Sequence, residues 1–325
     1  MRSFLFALNS IAPLIIIVAV GYFLKKKGIF KAETAKSVNK IVFRVLIPAT
    51  VFLNIYTIED IGKIDMTYIG YVAVFTLIVF LLSLWLSGVI TKSPDRRGVM
   101  SQVMYRSNYA LVGLPLVESI CGSNGLAEAA LLSVVSVSAF NVFAVISLSV
   151  FGENKKISIK KIFVDILKNP LIQAIILSGV CLIIRALFIK NGISFRISQI
   201  QPLFTAIKYF SASATPVALL CLGAQFEFSA IAGMRREIIW GTLIRTVIVP
   251  MLAIGIAYMC FDFSAGVYAA FIAAFATPVS VSSAPMAQEM GGDSVLAGQL
   301  VLWTTVVSSI TLFLFIYGLK LLNVF

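Results

Sequence analysis

"FATPVSVSSAPMAQEMGGD", residues 275–293, follows an apolar run of membrane-helix type and then breaks it. Two prolines, Pro278 and Pro285, and four small polar residues, Thr277, Ser280, Ser282 and Ser283, fall where such a helix would reach mid-membrane depth. Proline has no amide N–H and its ring clashes with the preceding turn, so a helix entering this stretch must kink or stop. Backbone groups that lose their intrahelical partners are costly in hydrocarbon, so the break has to be buried in protein or line a wet cavity.

The rest of the chain sets that break in a bilayer. With 60% hydrophobic residues, 12% charged residues and a mean hydropathy of +1.01, the composition lies outside the range of soluble domains. Ten apolar stretches reach the length needed to span, about 20 residues each. They run roughly over 4–24, 38–57, 66–91, 100–120, 124–151, 170–189, 202–225, 237–260, 266–288 and 295–319, with short connections. The fold expected is therefore an all-α polytopic membrane protein of ten transmembrane helices.

Charge orients the chain. The apolar run of the first stretch is too long for a secretion signal, and its basic cluster, Lys25 to Lys27, follows rather than precedes it. Read as a retained helix with its N-terminus outside, it places seventeen Lys and Arg in cytoplasmic loops and about seven outside. Both termini are then outside a cytoplasmic membrane. The formal charge of +12 is explained by topology and anionic headgroups, so the bilayer rather than nucleic acid is the expected partner.

Cysteine and histidine exclude several chemistries. Cys121, Cys181, Cys221 and Cys260 stand singly in or near apolar segments and form no CxxC, which indicates neither a disulfide framework nor a zinc site. With no histidine at all, metalloprotease HExxH helices and Ser-His-Asp hydrolases are ruled out. No metal, cofactor or enzymatic activity is expected.

The chain also resembles itself. At an offset of 170, "GLPLVESICGSNGL" (113–126) lies over "SAPMAQEMGGDSVL" (283–296), with Pro115 on Pro285, Gly122 on Gly292 and Leu126 on Leu296. Ser138 falls on Ser308 in the same frame, and Pro48 and Pro216 lie within two residues of it. The organisation expected is a first five-helix repeat at 1–152, a cytoplasmic linker at 153–169 and a second repeat at 170–325. Five is odd, so the second copy enters from the opposite side and the repeats are inverted, the symmetry of a secondary transporter.

Each half then carries a breaker in its fourth helix, "SNYALVGLPL" and "TPVSVSSAPM". A single break reads equally well as a packed proline kink, but a pair at equivalent positions points to two discontinuous helices that cross at a binding site. Candidate substrate contacts are Asn108, Gly113, Pro115, Asn141, Pro278, Ser280, Ser282, Ser283 and Pro285. Half-helix N-termini favour an anion such as a carboxylate. Two arginines are possible electrostatic contributors. Arg106 either faces the site or snorkels to the cytoplasmic surface, and Arg245 either serves substrate or pairs with a carboxylate or with helix C-terminal carbonyls. Asn141, in the apolar fifth helix, either lines the pocket or bonds a neighbouring helix. Acidic residues such as Glu59, Asp60, Asp65, Glu118, Glu128, Asp262, Glu289 and Asp293 are peripheral, unlike the buried carboxylate expected of a cation antiporter.

"NYALVGLPL" (108–116) resembles the Asn-x-x-x-x-Gly-x-Pro-Leu motif in the fourth helix of the auxin efflux carrier family. "SSAPMAQEMGGDSVLAGQLVLWTTVVSSITL" (282–312) is similar to the ninth and tenth helices of its bacterial malate or malonate permease-like members, and the short central loop fits that branch. The resemblance implies a fold like that of bile-acid transporters and sodium/proton antiporters. Helices 1, 2, 6 and 7 would form a scaffold and a homodimer interface, and helices 3–5 and 8–10 a mobile domain with crossing helices 4 and 9. By the same likeness Asn108 bonds the substrate carboxylate and Asn141 lines the pocket. The serine-rich second break matches no indole-recognising environment, so a small organic acid anion, carried by elevator-type alternating access, is the expected cargo. Rival readings are a sodium-coupled organic anion symporter of bile-acid transporter type and a transporter-like membrane sensor.

Overall fold

The computed structural model describes residues 2–57, 66–151, 164, 167–227 and 229–325, and among them every regular element is helical. The elements are α1 (Arg2–Lys26), α2 (Ala32–Tyr56), α3 (Met66–Ile90), α4 (Pro94–Tyr105), α5 (Leu114–Phe151) and α6 (Pro170–Lys190). They continue with α7 (Gln201–Gln225), α8 (Ser229–Cys260), α9 (Ala265–Ala276), α10 (Ser283–Glu289) and α11 (Ser294–Leu321). Seven stretches among the described residues are long and apolar enough to cross a membrane: α2, α3, the Glu128–Phe151 part of α5, α6, α7, α8 and α11. This is the architecture of a multi-pass membrane protein. Most of the linker expected at 153–169, and Glu59, Asp60 and Asp65, lie outside the described residues.

Side-chain placement is inside-out relative to a soluble bundle. Along α3, Thr76, Ser83 and Ser87 are buried while Leu77, Leu81, Leu82 and Trp85 are exposed. Large apolar groups cost nothing against lipid tails, whereas small and hydroxylic residues let helices approach closely and bond across the interface. Ser83, Ser101 and Ser147 do so through contacts of 2.6 and 2.9 Å that join α3, α4 and α5, and the Tyr105 hydroxyl meets Ser147 at 3.0 Å. The last residue of α4 is thereby held in place.

Prolines organise the helices in a way the sequence pattern alone does not display. Four π turns, Val42–Leu46, Tyr109–Gly113, Ile244–Ile248 and Ile272–Ala276, each end two residues before a proline: Pro48, Pro115, Pro250 and Pro278. A proline ring cannot accept the normal geometry because it meets the carbonyl four residues back, and a π turn widens the helix enough to clear it. At Pro48 and Pro250 the helix simply continues. The stretch "SNYALVGLPL" (107–116) carries the first break at its start, not at its proline. The interruption is at Arg106–Asn108, where Arg106 is extended (φ −82°, ψ 122°), and Pro115 is carried inside the resumed helix on an exposed face. The second break spans Thr277 to Ser282, between α9 and α10, as its sequence indicates. Within α5 a third interruption falls at Gly122, whose φ of 65° and ψ of −157° only glycine adopts readily.

The helices pack as two groups. In one, α1 lies along α7 and α2 packs on both α6 and α7. The α1–α7 approach is so close that a Cβ on Gly223 would stand 2.0 Å from the Val18 carbonyl oxygen. In the other, α4 and α5 pack with α3, α9 packs on α5, and α8 and α10 pack on α11. Arg96 ties the polar ends of that second group, donating to Asp293 at 3.0 Å, Glu237 at 3.2 Å and the Gly233 carbonyl at 3.1 Å.

Candidate functional site

The two breaks meet each other. The Asn108 N–H donates to the Pro278 carbonyl at 2.8 Å, joining one interrupted helix directly to the other. One turn later Gly113 lies against α9, where a Cβ would come within 2.8 Å of the Ala273 Cβ. Val279 is secured from the far side, its N–H donating to Thr304 Oγ1 at 3.2 Å. Main-chain groups freed by the breaks are thus partly satisfied by the opposite break.

Two buried guanidiniums serve this junction differently. Arg245, 0% exposed, stands on the π turn of α8 and donates only to main-chain carbonyls. Its Nε and Nη2 reach Thr277 O at 3.0 and 2.8 Å, Nη2 also reaches Ala274 O at 3.2 Å, and Nη1 reaches Tyr105 O at 3.2 Å. These acceptors sit where α4 and α9 end, so one side chain caps both helices, as one of the readings open from sequence has it. Arg106, 2% exposed, does not snorkel. It donates to Asn141 Oδ1 at 2.9 Å, Ser282 Oγ at 2.6 Å, Gln102 Oε1 at 3.1 Å and Met286 Sδ at 2.8 Å. Every partner is neutral, and no carboxylate among the described residues forms an ion pair with either arginine.

A cavity of about 510 Å³ opens beside Arg106. Its floor is made by the breaks, through Arg106, Ser107, Asn108, Ser280 and Ser282, and α5 adds Val137, Phe140 and Asn141. The opposite wall belongs to α1, α2 and α7, so the cavity lies between the two helix groups. Polar atoms there are left waiting. Asn108 Nδ2 and Ser107 Oγ are buried with no partner among the described residues, while Ser280 and Ser282 share a 2.8 Å contact.

Of the residues singled out from sequence, Asn108, Asn141, Ser280, Ser282 and Arg106 line this cavity together. Asn141 both faces the cavity and accepts from Arg106 on the neighbouring break. Gly113, Pro278, Ser283, Pro285 and Arg245 are buried but do not line it, Ser283 with its Oγ unpartnered among the described residues, and Pro115 is exposed elsewhere. Sequence reasoning passed over Ser107, Thr50, Asn54, Ser211 and Thr215, which also line the cavity. The last four held a signal: Thr50 and Asn54 on α2, and Ser211 and Thr215 on α7, are each four residues apart and so share a helix face. Thr50 follows Pro48 by two residues and Thr215 directly precedes Pro216, both prolines that mark the repeat.

Comparison with known proteins agrees with this architecture. A family model described as "Membrane transport protein" matches residues 6–316. An uncharacterized transporter of Methanothermobacter thermautotrophicus is 24% identical over 325 residues, covering 95% of this chain and 97% of the relative. One from Methanocaldococcus jannaschii is 27% identical over 246 residues, 74% of this chain and 75% of its own length. YfdV of Escherichia coli, also an uncharacterized transporter, is 22% identical over 263 residues, 78% and 79% of the two chains. With the family model matched along nearly its whole length, the chain belongs to the membrane transport protein family of auxin efflux carriers whose fourth-helix motif it carries.

Proposed function

We propose that this transporter carries a small organic anion, held by its carboxylate, across the cytoplasmic membrane. The observation that carries the reading is Arg106: a guanidinium buried at a cavity with neutral partners only. A buried charge without a counter-ion costs several kcal/mol even after hydrogen bonding, and a ligand carboxylate removes that cost where a neutral ligand does not. Asn108 Nδ2 and Ser107 Oγ, both without partners, supply further donors beside it. The remaining wall is largely aliphatic, which suits a small organic acid more than an inorganic ion.

Movement follows from the position of the cavity between helix groups. In this reading α1, α2, α6 and α7 form the scaffold of two inverted repeats in a bile-acid-transporter-like fold. The breaks and their neighbours in α3–α5 and α8–α11 travel as an elevator that exposes the site to each side in turn. Asn39 donates to Gln288 Oε1 at 3.1 Å and Gln288 to Lys36 O at 2.9 Å, so α2 and α10 close the basic, cytoplasmic end. The captured conformer then faces outward, with both termini outside. A homodimer through the scaffold is supported by α6 and α7, whose apolar windows are each only 17% buried against 33–44% in the other spanning helices.

The test is thermal stability of the purified protein with malate, malonate, succinate, lactate and indole-acetate, in sodium and in choline buffers. A ligand at 100 times its Kd adds about 2.7 kcal/mol to the folded state. Stabilisation by a carboxylate that disappears in Arg106→Gln is expected. Carboxylates that leave Tm unmoved, or that stabilise Arg106→Gln equally, would overturn the assignment, and a carboxylate effect that requires sodium would favour a symporter.

A further inference from the structure

The carbonyls gathered by Arg245 have a meaning of their own. Tyr105 O, Ala274 O and Thr277 O come from the ends of α4 and α9, which each carry a partial negative charge, and they converge on one buried point. Main-chain oxygens of unwound segments and half-helix C-termini are the donor set with which discontinuous-helix transporters hold a coupling cation. Here the guanidinium of Arg245 already fills that point, with no carboxylate partner among the described residues to suggest a plain ion pair. The π turn at Ile244–Ile248 aims it, and Pro250 is the reason the turn exists.

We propose that Arg245 is a tethered cation standing in the place of a monovalent metal ion, so that the junction of the two breaks is neutralised permanently and the carrier works without bound sodium. This goes beyond the anion reading and can fail independently of it. Arg106 and the cavity groups recognise cargo on one side of the junction, and Arg245 balances the helix ends on the other. Removing its side chain would leave a small, carbonyl-lined, negatively polarised space able to take a free cation. Hard monovalent and divalent cations prefer such oxygen donors.

The experiment measures Tm of the full-length protein in detergent, without any carboxylate ligand, in sodium chloride against choline chloride at equal ionic strength. Wild type is expected to show no sodium effect. Arg245→Ala is expected to fall by roughly 5–10 °C in choline and to regain half or more of that loss in sodium or in millimolar guanidinium. Should Arg245→Ala not fold in either salt, Arg245→Lys and Arg245→Met decide. A folded, sodium-indifferent Lys variant beside a destabilised Met variant supports a tethered cation, and a Met variant as stable as wild type overturns it. Sodium stabilisation of the wild type, or an Arg245→Ala loss that neither cation repairs, also overturns it. Because no carboxylate is present, failure here leaves the cargo assignment standing, and failure of Arg106→Gln to change carboxylate binding leaves this inference standing.

Discussion

The first break and the second reach the same meeting point by different chemistry. The first is three residues long, Arg106 to Asn108, and contains neither proline nor glycine. It ends α4 because Arg106 turns into the cavity, where Asn141 and Ser282 receive it, while Arg245 takes the freed Tyr105 carbonyl. The second is six residues long, Thr277 to Ser282, contains Pro278, and bears hydroxyls but no charge. One break therefore brings the cation and the amide, and the other brings small polar groups and the acceptor for the Asn108 N–H. On the proposed reading, cargo recognition is divided unequally between the two breaks.

That inequality predicts where substitution hurts most. Arg106→Gln keeps the hydrogen-bonding length but removes the charge, and hydrogen bonds to charged groups contribute about 1.5–3 kcal/mol. Carboxylate affinity, measured by titration in the thermal assay or by proteoliposome uptake, is expected to fall roughly 10- to 150-fold. Ser282→Ala, on the uncharged break, is expected to cost about 1 kcal/mol or less. If the two losses are equal, the division of labour is wrong.

Next in size is the contact that sets the distance between the breaks. Gly113→Ala places a Cβ 2.8 Å from Ala273 Cβ and 3.2 Å from its Cα, backbone-anchored atoms that cannot swing aside. Overpacking of this kind costs about 1–3 kcal/mol, visible as a lower Tm. Ala273→Gly in the same chain is expected to recover most of the loss, since the two sites share one contact and should not act additively. Without recovery, Gly113 would matter for its own turn rather than for the junction.

Legibility followed the same division. Composition and apolar run length disclosed the helices and the membrane, because spanning segments must satisfy every backbone group internally and leave a plain mark in hydropathy. The second break was readable where it stands, since Thr277, Pro278 and the serines interrupt an otherwise apolar run. The first is readable only as the stretch "SNYALVGLPL": within it the proline marks no interruption, because a π turn at Tyr109–Gly113 absorbs it, and the break falls on the polar residues at its start. Periodicity does not distinguish a π turn from an α turn over five residues. Arg245 could be read only as a choice of partners, because what it caps lies 29 to 140 residues away in sequence. Thr50, Asn54, Ser211 and Thr215 carried a helical spacing that was visible but not used.

A smaller effect is expected at Asn108. Its link to the second break runs through the main chain, so Asn108→Ala leaves the 2.8 Å bond to Pro278 and removes the side-chain amide, whose Nδ2 is unpartnered. Affinity for carboxylate should fall by about 1 kcal/mol, roughly fivefold, with Tm in the absence of ligand nearly unchanged. A large Tm loss with unaltered affinity would assign the side chain to structure instead.

The smallest effect is expected at the residue the sequence motif emphasises most. Pro115 is exposed, lies outside the cavity and sits two residues past a π turn that has already made room for its ring. Pro115→Ala restores an N–H at that position and lets the turn relax toward an α-helical path, a local change on an outward face that should stay within about 0.5 kcal/mol. Relaxation would rotate the chain upstream, where Asn108 and Arg106 lie, only if the π turn stores the geometry of the break. The contacts around the break argue otherwise: Asn108 is tied to Pro278, Gly113 is seated on Ala273, and Arg106 is held by four partners from three other segments and its own helix. Carboxylate affinity of Pro115→Ala equal to wild type would show that the first break is made by its polar residues and their partners. A loss as large as that of Arg106→Gln would show that the proline, through its π turn, sets the site after all, and would make the two breaks alike in cause as well as in pattern.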